Sequence, residues 1–264
     1  MMRLIVHAGF HKTGTTSVQQ TLDANRAALA PALRVMLKDD MKGMTEAARA
    51  YSRTQDEVEW ALYLYETRAV FEALDPTDPR PVLMSSEDLS GHMPFRHALP
   101  DYGAAPRLVR GLAEVAEAVH PGARIEFVFT TRAATPWVRS CWAQHVRAVQ
   151  FTEDLDTYTA RALPHADLDR MTDRIADAVL SHAVHRKRLE DVGDMPLGPL
   201  DPLLDIVGLP AEVRAAVQPQ PRANPSMPEE VLRRLLKLNR SDRPWSEVKE
   251  EKKRIVRKAK RAAA

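Results

Sequence analysis

Short runs of apolar residues alternate along this chain with longer segments in which apolar residues recur every three or four positions. The predicted strands are residues 3–8, 82–84 and 125–130. Leu4-Ile5-Val6 and Val82-Leu83-Met84 are short, continuous apolar runs, and the second is typical of a strand buried inside a parallel sheet. Helical spacing predicts helices at residues 14–29, 54–73 and 107–119. The alternation of strands and helices predicts an α/β fold, in which helices flank a parallel sheet.

The second predicted helix presents apolar residues at helical spacing. Its start at Thr54-Gln55-Asp56-Glu57 has the form of a capping box. We expect its inward face to be Val58, Ala61, Leu62, Tyr65 and Ala69. Residues 30–53, just before it, show no clear periodicity, so no element is predicted there.

The chain beyond residue 152 is predicted to be mostly helical. His182 and His185 would lie one turn apart on one of these helices. No third ligand accompanies them in the sequence, so a zinc site is not expected. The predicted architecture is one α/β domain over residues 1–240, followed by a basic tail at 241–264.

The basic tail is the most charged part of the sequence. Residues 249–261 hold eight Lys or Arg against two Glu. Such a run is usually a solvated helix, and contact with acidic lipid, nucleic acid or a polyanionic acceptor is the alternative.

Composition limits the class of protein further. The 264 residues carry a formal net charge of only +2, so nucleic acid is not an expected partner. A single cysteine, Cys141, excludes an internal disulfide and fits a reducing compartment. The N-terminus lacks the apolar stretch of a signal peptide, and no segment has 18 consecutive apolar residues. We therefore expect a cytoplasmic protein without a membrane span, and a prokaryotic source.

The candidate chemistry begins in the loop Gly9-Phe10-His11-Lys12-Thr13-Gly14-Thr15-Thr16, between the first strand and the first helix. Glycines allow the backbone to approach an anion closely, and the N-terminus of the next helix favours negative charge. In an ordinary P-loop the lysine follows the second glycine. Here Lys12 precedes Gly14, and Thr15 takes the usual lysine position. This P-loop-like arrangement favours transfer of a group less charged than phosphoryl, such as sulfuryl.

The run Lys12-Thr13-Gly14-Thr15-Thr16 resembles the 5′-phosphosulfate loop of sulfotransferases that use 3′-phosphoadenosine 5′-phosphosulfate (PAPS). Arg132, just after the strand at 125–130, and Ser140, eight residues later, are similar to the 3′-phosphate site of that family. The resemblance is closest to bacterial or carbohydrate-type members. It implies that PAPS is the donor, that 3′-phosphoadenosine 5′-phosphate (PAP) is the product, and that no metal is required.

The resemblance also assigns roles to the residues of the loop. It implies that Lys12 is catalytic and neutralises the bridging oxygen of the donor. The donor-binding residues that it implies are His11, Lys12, Thr13, Gly14, Thr15, Thr16, Arg132 and Ser140. Many family members also have a basic Gly-rich loop near the C-terminus, whereas this chain has no glycine after Gly208. Arg222 or a basic residue of the tail would have to replace that loop.

Glu87 follows the run 82–84 and is the predicted general base that deprotonates the acceptor. His11 and His92 are rival candidates for this role. The sequence thus predicts sulfuryl transfer from PAPS to a hydroxyl-bearing acceptor, such as a carbohydrate or a lipid headgroup. A nucleotide-dependent P-loop kinase and a non-catalytic module that binds PAP or a polyanion are the alternatives.

Overall fold

The computed structural model of the chain describes residues 1–220 and 227–262. The chain divides into two compact units. The first comprises residues 1–133 and 167–223, and the second comprises residues 134–166 and 224–264. Arg222, the candidate replacement for a C-terminal donor-binding loop, lies outside the described residues.

A sheet of five strands forms the centre of the first unit. The strands are β1 (Arg3–His7), β2 (Arg34–Leu37), β3 (Val82–Ser85), β4 (Arg124–Thr131) and β5 (Ala183–Arg188). Their order across the sheet is β2-β3-β1-β4-β5, and every neighbouring pair is parallel. The predicted α/β fold with a parallel sheet flanked by helices is confirmed.

The helices follow the strands along the chain. In chain order they are α1 (Thr15–Ala24), α2 (Arg26–Leu29), α3 (Lys42–Thr54), α4 (Glu57–Glu72), α5 (Ala105–Val119), α6 (Ala134–Ala148), α7 (Leu155–Ala162), α8 (Leu168–Ala178), α9 (Leu189–Val192), α10 (Asp201–Val207), α11 (Ala211–Ala215), α12 (Glu229–Asn239) and α13 (Trp245–Ala262). Short 3₁₀ segments lie at Lys38–Met41, Glu87–Ser90, Leu163–His165 and Gly198–Leu200.

The core of the first unit forms where helices cover the central strands. The β1 residues Leu4, Ile5 and Val6 are fully buried, as expected for a strand in the middle of a parallel sheet. Val18 and Leu22 of α1 belong to one buried apolar cluster with Ile5. This packing fixes the position of α1, and therefore of the loop that precedes it.

The predicted inward face of α4 is wrong. Val58 and Tyr65 are exposed by 78% and 67%, whereas Tyr63 and Phe71 are fully buried. The helix instead presents Trp60 to Tyr51 of α3 and Tyr63 to α5, where the Tyr63 hydroxyl donates a hydrogen bond to the Leu108 carbonyl. At Gly111 of α5, an added Cβ would lie 2.4 Å from Cη2 of Trp60, so the absence of a side chain there admits the indole ring.

Two other segments differ from the sequence prediction. Residues 30–53, which show no periodicity, contain β2 and α3. The helical placement of His182 and His185 is wrong, because α8 ends at Ala178 and His185 lies in β5. Strand β5 lies at the edge of the sheet and reads Ala-Val-His-Arg-Lys-Arg, so it lacks the apolar run of a buried strand.

The second unit is helical among its described residues. Helix α6 packs against α7 and α12, and α12 packs against α13. Trp137 and Cys141 of α6 are fully buried. The segment predicted as a basic tail contains α13, which buries Val248 and Ile255. A domain boundary at residue 240 stays a prediction.

Candidate functional site

The segments that carry most of the predicted site residues meet at one edge of the sheet in the first unit. His7 at the end of β1 is paired with Ser85 of β3 and with Val128 of β4. The strands are parallel, so the segments that follow β1, β3 and β4 leave from the same edge. Strands β3 and β4 lie on opposite sides of β1 in the sheet. Parallel sheets typically bind ligands beyond the carboxyl ends of the strands, at a point where the strand order changes direction.

The loop after β1 contains three residues with positive φ. These are Gly9 at 35°, Lys12 at 70° and Gly14 at 96°. A Cβ on Gly9 would lie 2.6 Å from Cγ2 of Thr15, so the loop is compact at this point. The Thr13 hydroxyl donates a 2.6 Å hydrogen bond to the Phe10 carbonyl, which closes the loop on itself.

Helix α1 begins directly after this loop, with Gly14 as its N-cap residue. No side chain caps this end of the helix. The first-turn N–H groups of a helix have no intrahelical acceptors, and together with the helix dipole they favour an anion. Thr15 is buried and Thr16 is half-buried at this end.

Arg132 follows β4 and reaches the loop. Its Nη1 donates a 3.3 Å hydrogen bond to the backbone carbonyl of Lys12. Both side chains are half-buried. The structure therefore brings the guanidinium of Arg132 to the same loop that carries Lys12.

His11 is held by two neighbours at the tip of the loop. Its backbone N–H donates a 2.8 Å hydrogen bond to Oη of Tyr102, and its Nδ1 lies 3.0 Å from the same oxygen. Its Nε2 lies 3.4 Å from Oδ1 of Asp88. Contacts to both ring nitrogens therefore orient the imidazole of His11. The same contacts anchor the loop to the segment that follows β3 and to the segment that precedes α5.

Asp88 is the centre of a cluster of ionic groups. Its carboxylate is 2.6 Å from Nζ of Lys38 and 3.7 Å from Nε of Arg49, in addition to its contact with His11. Burial alone would raise the pKa of this carboxyl, but the hydrogen bond with His11 and the charge of Lys38 lower it to about 2. Asp88 is therefore ionised near neutral pH, and its carboxylate holds the side chains of His11, Lys38 and Arg49.

Glu87 lies in the 3₁₀ segment that follows β3. Its Oε2 accepts a 2.6 Å hydrogen bond from Nε2 of Gln19 on α1. Beneath the loop, His7 is fully buried and lies 2.9 Å from Oγ of Ser85. Burial lowers the pKa of His7 to about 4, against a smaller opposing influence of Glu87. His7 is therefore neutral near pH 7.

His92, a rival candidate for the base, lies in a different setting. Its Nδ1 is 3.0 Å from the Met93 carbonyl, and burial lowers its pKa to about 4. It lines a cavity of about 100 Å³ together with Ser90, Asp101 and Tyr102. Tyr102 therefore contacts both this cavity and His11 of the loop.

Ser140 lies on α6, in the second unit, and is half-buried. Arg132 belongs to the first unit. The prediction that these two side chains share one phosphate stays a prediction.

Several residues of the site were missed from the sequence, namely Gln19, Lys38, Arg49, Asp88 and Tyr102. Asp88 directly follows Glu87 after the end of β3, and this position alone could have indicated that it belongs to the site. Lys38 follows β2, a strand that the apolar pattern does not reveal. The other three side chains reach the site from helix α1, helix α3 and a loop, so only the tertiary structure brings them together.

Comparison with protein-family models, with curated proteins and with solved structures finds no match to this chain. Among the described residues, none of the helices has the length and apolar character needed to span a bilayer. The same residues contain no group of three or more His, Cys, Asp or Glu side chains that could hold a metal ion.

Proposed function

We propose that this protein is a sulfotransferase that moves a sulfuryl group from PAPS to a hydroxyl of an acceptor. The observation that carries the proposal is the uncapped N-terminus of α1, preceded by the loop with Lys12 and contacted by Arg132. Two cationic side chains and the N-terminal end of a helix suit a ligand with phosphate groups. The position of Lys12 before Gly14 favours sulfuryl over phosphoryl transfer.

In this proposal the loop holds the 5′-phosphosulfate end of the donor. The first-turn N–H groups of α1, with the hydroxyls of Thr15 and Thr16, bind the 5′-phosphate. Lys12 neutralises the charge that develops on the bridging oxygen when its bond to sulfur breaks. Thr13 supports the loop through its bond to Phe10. Arg132 binds the 3′-phosphate, with Ser140 as its predicted partner.

Glu87 is the proposed general base. It accepts the proton of the acceptor hydroxyl as the oxygen of that hydroxyl forms its bond to sulfur. The hydrogen bond from Gln19 fixes one carboxylate oxygen and leaves the other for the acceptor. His11 is less suited to the role, because its ring is already engaged by Asp88 and Tyr102. His92, with a pKa of about 4, is a weak base.

A kinase is the second candidate, favoured by the acidic pair Glu87 and Asp88 at the end of β3. Such a pair resembles the carboxylates that hold magnesium in P-loop kinases. The ionic contacts of Asp88 with Lys38 and Arg49 count against this role, because they occupy its carboxylate.

Thermal denaturation with PAP alone, and with ATP with and without Mg²⁺, tests the proposal. PAP without metal is expected to stabilise the protein by about 2.7 kcal/mol at 100 times its dissociation constant. Stabilisation by Mg-ATP but not by PAP would transfer the assignment to a kinase. A protein that binds PAP but transfers no label from PAPS to sugars, lipids or phenols would be a non-catalytic PAP-binding module.

The variant Arg132→Ala tests the assignment of the 3′-phosphate. It is expected to weaken PAP more than adenosine 5′-phosphosulfate, which lacks that phosphate. The difference should be about 1.5 to 3 kcal/mol, as for a hydrogen bond to a charged group. Arg110→Ala, on the exposed side of α5, is the matched control and should change neither affinity. Equal losses for both ligands would show that Arg132 has another role.

A further inference from the structure

Helix α13 carries a continuous run of positive charge. After Glu251, its remaining residues include seven Lys or Arg and no Asp or Glu. The second unit as a whole has sixteen Lys and Arg against nine Asp and Glu, a net charge of +7. The first unit has twenty-two against twenty-seven, a net charge of −5. The small net charge of the chain is therefore the sum of two units whose net charges have opposite signs.

The cations are arranged on one side of this helix. Val248, Lys252 and Ile255 are buried. With 3.6 residues per turn, Lys253, Arg257 and Arg261 lie opposite these three, and all are exposed. They follow one another at intervals of four residues, about 6 Å along the axis. We call Lys253, Arg257 and Arg261 the cationic ridge.

The ridge is not explained by the stability of the helix. Positive charge near a helix C-terminus is favourable, but the effect is limited to the last turn. Like charges four residues apart destabilise a helix, and the ridge contains two such pairs in succession. Lys253 is compensated by Glu250 at 2.7 Å. Among the described residues, no carboxylate forms a salt bridge with Arg257 or Arg261.

We propose that the cationic ridge docks the protein on an anionic phospholipid surface. Clusters of Lys and Arg on a helix are attracted to acidic headgroups. The ridge lies on the exposed side of α13, which it shares with Glu250 at the N-terminal end, so Arg257 and Arg261 would make most of the contact with a flat surface. The apolar side chains Val248 and Ile255 are buried, so α13 would bind headgroups without inserting into the acyl chains.

Duplex DNA is the competing occupant, because Arg and Lys also bind guanine in a major groove. A phospholipid surface is favoured because the ridge is a single row of three cations, whereas tight binding to nucleic acid uses many phosphate contacts. The formal net charge of the whole chain is only +2, which also does not favour a nucleic-acid interface. The proposal goes beyond sulfuryl transfer and does not depend on it.

Sedimentation of the full-length protein with vesicles tests this proposal. One vesicle type is phosphatidylcholine alone, and the other contains equal parts of phosphatidylcholine and phosphatidylglycerol. Binding is expected only to the second type and should fall steeply as salt is added. The triple variant Lys253→Gln, Arg257→Gln and Arg261→Gln should bind about a hundredfold more weakly.

The control is a triple variant of three exposed arginines in the first unit, Arg53→Gln, Arg68→Gln and Arg110→Gln. It removes the same charge and should bind acidic vesicles like the unmodified protein. Equal loss in both variants would show that net charge, not the ridge, drives binding and would overturn the proposal. Absence of vesicle binding by the unmodified protein would also overturn it, as would tighter binding to duplex DNA or dextran sulfate at the same salt concentration.

Discussion

Replacement of Asp88 by Asn should destabilise the protein in a pH-dependent way. The pKa of this carboxyl falls from an ordinary value of 3.8 to about 2 in the folded protein. That difference corresponds to about 2.5 kcal/mol of stability at pH 7. The carboxylate side chain is only 6% exposed, so solvent screens it little. Lys38 and Arg49 are 45% and 39% exposed, and water can solvate them when the carboxylate is removed.

The sign of the pH dependence follows from the lowered pKa. The stabilisation is fully present above the unfolded pKa and is lost as the pH falls through the folded pKa. Asp88→Asn should therefore cost about 2.5 kcal/mol at pH 7, about 1 kcal/mol at pH 3 and almost nothing below pH 2.

Urea denaturation of the variant and the unmodified protein across this pH range measures the difference. Asp39→Asn, an exposed carboxylate close to Lys38, is the matched control and should have little effect at any pH. A cost for Asp88→Asn that is the same at pH 3 and pH 7 would refute the reasoning. A cost no larger than that of Asp39→Asn would do so as well.

Three further predictions concern single residues. Gly14→Ala should lower stability by about 1 to 2 kcal/mol, measured by thermal unfolding, because Gly14 has φ of 96°; an unchanged midpoint would contradict this. Burial lowers the pKa of Lys252 to about 8, so between pH 8 and 10.5 the folded protein releases a proton that the unfolded chain retains. The unmodified protein should gain stability over that range relative to Lys252→Met, and a decline relative to that variant would be the wrong sign. Glu87→Gln should reduce turnover by about 10²- to 10⁴-fold with PAP affinity nearly unchanged, and normal turnover in labelled-PAPS assays would remove Glu87 from the mechanism.

The sequence alone predicted the three central strands of the sheet and the loop that follows β1. The predicted strands at 3–8, 82–84 and 125–130 correspond to β1, β3 and β4 within one residue at each end. A strand buried on both faces needs a continuous apolar run, so its signal is local and strong. Gly14 before α1 is also readable, because a positive φ at a helix start favours glycine.

The candidate site was only partly predictable. Lys12, Glu87 and Arg132 could be selected because each follows a recognisable strand. The contacts of Asp88 with Lys38, Arg49 and His11 join segments that are far apart in sequence. No local pattern encodes such a cluster, since each residue alone has the appearance of an ordinary surface charge.

Tertiary structure alone decided the buried face of α4 and the existence of β5. Apolar and aromatic residues lie on more than one side of α4, so periodicity could not determine which side is buried. The neighbouring helices determine which side of α4 is buried, because Trp60 fills the space that α5 leaves at Gly111. Strand β5 carries basic side chains because it lies at the sheet edge, and its backbone pairing with β4, not its own sequence, makes it a strand.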